Sequence, residues 1–65
     1  MEAEIGNAAG MIWQHLDQHG DTTLSKLKLG VKLSDQCLFM GLGWLLREGK
    51  VNFAKDRRSL KVSLR

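Results

Sequence analysis

The repeat of the hydrophobic pattern changes partway along this chain, near Gly49. Before that point apolar residues recur every three to four positions; after it they alternate. The first spacing gives one face to a helix and the second gives one face to a strand. The chain must therefore join a helical body to a β element. Ile5, Ala8, Ala9, Ile12, Trp13 and Leu16 form the apolar stripe of a first helix, which Gly20 ends in a left-handed turn. Asp21-Thr22-Thr23 reads as a short strand-like bridge whose last residue caps a second helix. That helix runs from Leu24 to about Leu29, with Leu24 and Leu27 inward and Lys26 and Lys28 in water. Gly30 reads as its breaker, and Val31 as a plug against the core. Ser34 and Asp35 suit the start of a third helix that runs to Glu48 and stops at Gly49.

After Gly49, Val51 and Phe53 alternate with Asn52 and Ala54, and Leu60, Val62 and Leu64 alternate with Lys61, Ser63 and Arg65. The polar stretch from Lys55 to Ser59 lies between them. This pattern predicts a hairpin with one buried face. Two strands alone are marginal, so that face must rest on the helices. The expected fold is α+β and mainly helical, with three helices, a short strand after the first and a C-terminal hairpin, in one domain over residues 1–65. That is the order of a winged helix-turn-helix, and the short connection between the second and third helices suits it.

Size and composition narrow the function. A domain of 65 residues buries only about 60% of the surface its unfolded chain exposes. Little material remains to enclose a substrate pocket of about 300–1,000 Å³, so an enzyme is not expected. The single cysteine, Cys37, cannot form an internal disulfide, and small secreted domains usually carry several, which points to the cytoplasm. The start, Met1-Glu2-Ala3-Glu4, lacks a basic leader, and the longest apolar run, Cys37 to Leu46, is too short to span a bilayer. No membrane partner and no small-molecule substrate is expected.

Charge is spread unevenly. Residues 1–46 hold three lysines against five acids, a balance of −2. Residues 47–65 hold Arg47, Lys50, Lys55, Arg57, Arg58, Lys61 and Arg65 against Glu48 and Asp56, a balance of +5. A basic third suits an anionic partner, nucleic acid being the commonest, although a solvated basic hairpin that aids solubility has the same composition.

Several segments resemble a small prokaryotic winged helix-turn-helix family whose function is not established. They are Ile5-Gly6, Ala9-Gly10-Met11-Ile12-Trp13, Leu16, Gly20, Leu24 and Leu27, then Gly43-Trp44-Leu45 and Arg47-Glu48-Gly49-Lys50-Val51. The resemblance covers nearly the whole chain. It implies the winged-helix fold and a DNA-binding role, and it implies no catalytic residue, metal ligand or cofactor.

The third helix normally enters the major groove in this class. At about 100° per residue, Leu38, Gly41, Leu42 and Leu45 share the inner arc. Gln36, Met40, Gly43 and Arg47 share the outer one, with Phe39 and Trp44 on its flanks. Only Gln36 and Arg47 suit base reading, Arg47 sits at the wrong end, and Asp35 repels phosphate. Phe39, Met40, Gly43 and Trp44 instead suggest an interaction face, for a second copy or a protein partner; they also suit a helix simply packed into its own domain. The hairpin is the better candidate for nucleic acid. Arg57 and Arg58 at its tip, with Lys50, Lys55 and Lys61 in support, predict a salt-dependent DNA contact whose log–log slope is about −4. His15 and His19 at i and i+4 have chelating spacing but no clear third ligand, and Cys37 opens an apolar run as an inert thiol does. No metal site is expected.

Overall fold

The computed structural model describes residues 2–65, so Met1 of the acidic start lies outside it. Three helices and three strands follow in the order α1 (Glu2–His19), β1 (Thr22–Thr23), α2 (Leu24–Val31), α3 (Asp35–Arg47), β2 (Val51–Asp56) and β3 (Ser59–Leu64). The fold is α+β and mainly helical.

Local chemistry sets each boundary. Gly20, at φ 80°, ends α1, and its N–H donates to the Leu16 carbonyl at 2.8 Å. The Thr23 hydroxyl accepts from the Lys26 N–H at the start of α2, and the Ser34 hydroxyl accepts from the Cys37 N–H at the start of α3. At the end of α3 the Lys50 N–H donates to the Leu45 carbonyl and the Gly49 N–H to the Leu46 carbonyl. These 6→1 and 5→2 bonds, with Gly49 at φ 70°, form a Schellman motif. The wing thus starts from a fixed joint.

Two boundaries depart from the sequence reading. Gly30 does not break α2; the helix continues through Val31, and Lys32 makes the left-handed exit at φ 51°. The His15 ring lies over Gly30, so a side chain at that position would have to push the ring aside where α2 crosses α1. The turn into α3 therefore contains no glycine. The hairpin is also tighter than expected. Asp56 pairs with Ser59, which leaves a loop of Arg57 and Arg58 alone.

The sheet order is β1-β3-β2, all antiparallel. Val62 on the central strand pairs with Thr22 on one side and Phe53 on the other. The inner face of the sheet closes a core formed by Ile12, Leu16, Leu27, Leu38, Val51 and Val62, all fully buried. The stripe of α1 is narrower than its sequence suggests. Ala8, Ala9, Ile12 and Leu16 are buried, Ile5 is half-buried and Trp13 is 39% exposed. Trp13 lies roughly 90° around the helix from the middle of that stripe, at its edge.

The closest packing lies between α1 and α3. A Cβ on Gly41 would come 3.0 Å from Ile12 Cδ1, 3.1 Å from the Ala9 nitrogen and 3.3 Å from the Ala8 carbonyl carbon. Two of those atoms are backbone and yield only if α1 moves. Gly43, two positions on, has open space beyond its Cβ position. Opposite effects follow from the same substitution. Gly43→Ala raises stability by up to about 1 kcal/mol through helix propensity. Gly41→Ala lowers it by about 1–3 kcal/mol through overpacking. Urea midpoints of the two variants against the parent protein check both signs.

Candidate nucleic-acid interface

The hairpin register sorts the cations expected to act together. Residues paired directly across an antiparallel ladder share a face. Val51, Phe53 and Lys55 therefore lie on the inner face with Leu64, Val62 and Leu60, whereas Asn52, Ala54 and Asp56 lie on the outer face with Ser63, Lys61 and Ser59. Lys55 and Lys61 thus flank the wing on opposite sides. Lys50 stands at the base of β2, roughly 20 Å from the tip at 3.3–3.4 Å per residue. Arg47 is further removed, on the last turn of α3 beside Ile5 and Glu48. The seven expected residues form a tip, two flanks and a base, with Gln36 apart at the exposed start of α3.

The tip is Arg57 and Arg58, both exposed. Among the described residues no carboxylate lies within 4.0 Å of either guanidinium, and the one salt bridge joins Lys28 Nζ to Asp35 Oδ1 at 2.8 Å. Arg57 adopts φ 55°. Two-residue hairpin loops require such a conformation, and glycine or asparagine usually supplies it. Here an arginine takes that position at a steric cost of about 1 kcal/mol.

The Lys28–Asp35 pair changes the reading of α3. Asp35 is not a bare charge at the helix start, since an α2 lysine offsets it. The outer arc remains poor in base-reading groups. Gln36, Gly43 and Arg47 are exposed and Met40 is half-buried. Phe39 and Trp44 are 52% and 50% exposed, about 140° apart around the helix, so the four expected interaction residues do not make one patch. Met40, Gly43 and Trp44 line a shallow cleft with Ile5 of α1, while Phe39 is on the far flank.

One contributor was not foreseen from sequence. Thr23 of β1 pairs with Lys61 of β3, which brings the first turn of α2 to the wing, and Lys26 and Lys61 line one hollow with Thr23. Asp21 lines the same hollow. Only the long-range β1–β3 pairing reveals this, and a two-residue strand carries too little pattern to announce its partner. His15 and His19 stack with ring centroids 4.5 Å apart; among the described residues no group of three metal-binding side chains forms. Cys37 is half-buried. No helix among the described residues is long and apolar enough to cross a membrane.

Three helices, a short strand laid against the returning arm of a hairpin, and a turn of residues 32–34 between α2 and α3 define a winged helix-turn-helix domain. Domains of this class are typically binding modules rather than enzymes. The model of the family described as "Winged helix-turn-helix domain (DUF2582)" matches residues 1–64, and the chain belongs to that family. A comparison with curated proteins found no match.

Arg57→Gly removes the steric penalty at the tip while lengthening the list of unfolded conformations. The net expectation is a gain of up to about 0.5 kcal/mol. Thermal unfolding of Arg57→Gly beside Arg57→Ala checks it, since alanine relieves nothing at positive φ.

Proposed function

We propose that this domain is a nucleic-acid-binding, transcription-associated module that grips the phosphates of duplex DNA through its wing. The observation that carries this reading is the Arg57–Arg58 tip. It is exposed, free of carboxylate partners among the described residues, and it keeps a charged side chain where the backbone favours glycine. Strain of this kind persists when a side chain is needed at its position. Lys55 on one face of the wing and Lys61 with Lys26 on the other add charge behind the tip. Lys50 and Arg47 stand too far back to share the same few phosphates. Contacts of this sort fix position and do not read sequence. The apolar outer arc of α3 agrees with binding that tolerates any base sequence. A reducing, cytoplasmic setting suits the lone Cys37 and a DNA partner.

A second reading rests on a different observation. Phe39, Trp44 and Leu46 leave about half of their surface in water along one short helix, more than a helix devoted to its own core requires. In this reading α3 docks a partner protein or a second copy. Gly43, open above its Cβ position, permits close approach of a backbone.

Fluorescence anisotropy with a duplex of about two helical turns tests the first reading. With about three phosphates neutralised, the log–log salt slope is about −3, and a scrambled duplex binds equally well. Arg57→Ala with Arg58→Ala weakens binding at least about tenfold, equivalent to about 1.4 kcal/mol. Binding that ignores salt, or that survives loss of both arginines, overturns it. For the second reading, sedimentation equilibrium of the free protein is expected to show association that Trp44→Ala with Met40→Ala, the large α3 side chains of the cleft beside Gly43, abolishes. A pure monomer at high concentration that captures no protein partner removes that reading.

A further inference from the structure

A concavity outside the wing lies where α1, the end of α3 and the base of the hairpin meet. It is a groove of about 560 Å³, within the size range of small-molecule sites. Trp13 stands on the α1 side and Trp44 on the α3 side, while Gly6 and Gly10 form the α1 wall. Lys50 and Arg65 close the end nearest the wing. The two glycines are one turn apart on the same helix face, and nothing lies within 4 Å of a Cβ built on either. The α1 backbone is therefore bare there, which leaves a slot for a flat ring. The indoles beside it are 39% and 50% exposed, large apolar surfaces without cover.

Charge narrows the occupant. Two cationic side chains line the groove and no acidic side chain does. Among the described residues neither cation has a salt-bridge partner. An arginine fork and a lysine ammonium together suit a carboxylate or phosphate group. A wholly apolar ligand would leave both cations unused.

We propose that this groove is a binding site for a small planar aromatic anion. The ring lies over Gly6 and Gly10 between the indoles, and the anionic group meets Lys50 and Arg65. The Gln14 amide, also in the lining, adds one polar contact at the rim. The site is independent of the phosphate-gripping tip, since its ring-binding residues lie on α1 and α3.

The chain has two tryptophans, both in this groove, so its two indole N–H resonances report occupancy directly. The probes are 2-naphthoate, adenosine monophosphate and the neutral 2-naphthalenemethanol, added to isotope-labelled full-length protein. Both indole signals are expected to shift together and saturate with at least one anion, with a dissociation constant below about 1 mM. Saturation by naphthoate alone assigns a carboxylate, and by the nucleotide alone a phosphate. The neutral alcohol binds at least tenfold more weakly, on the scale of one lost charge-assisted contact. Gly10→Leu fills the slot on an exposed helix position and abolishes the shifts while the melting temperature holds or rises. Lys50→Gln weakens the anion and leaves the alcohol unchanged. Equal affinity for alcohol and anion, shifts that persist in Gly10→Leu, or no shift by about 10 mM overturns the proposal. So do indole shifts that follow protein concentration without any probe, which identify a second copy as the occupant.

Discussion

The close contact of α1 with α3 governs this molecule. Ala8 and Ala9 on one helix and Gly41 on the other bring two backbones so close that a further carbon would force them apart by a few tenths of an ångström. A chain of this length has few apolar residues to spend on a core, and tight helix contact is how it makes them suffice. Ile12, Leu38, Leu42 and Leu45 then interlock, and a single sheet face bearing Val51 and Val62 is enough to cover what is left open. Lost contact between these helices would uncouple the sheet from its support as well.

Much of the architecture was legible because it rests on local repeats. The stripe from Ala8 to Leu16, the caps at Thr23 and Ser34, the stop at Gly49 and the alternation from Val51 to Leu64 each act within a few residues of themselves. The misreadings concern contacts between distant parts. Gly30 looked like a helix breaker because a glycine there has two explanations, and only the position of His15 decides between them. Trp13 has the spacing of a core residue, yet it stands at the edge of the stripe and is 39% exposed. The hairpin loop shrank to two residues because strand pairing outweighed the polarity of Lys55 and Asp56.

The candidate site shows the same division. Which residues are cationic was plain, but their grouping was not. Register places Lys55 and Lys61 on opposite faces, and β1 brings in Lys26, to which no sequence pattern draws attention. The glycines and tryptophans of the groove were visible as residues of a family resemblance, without any sign that they converge. A fold often used to read DNA here carries a third helix with little to read it with, so function must be argued from the wing and the grooves.

The joint between α3 and the wing has a consequence for how such a chain can change length. The two Schellman bonds fix the number of residues from Leu45 to Lys50, and a pleated ribbon exchanges its inside and outside with each residue added. One extra residue at that junction would turn Asn52 and Ala54 toward the interior and expel Val51 and Phe53. The far loop has no such parity lock on the interior, provided that growth comes in matched pairs, one residue per arm. Evolution of reach in this scaffold is thus confined to the distal end of the ribbon, where the arginines already sit.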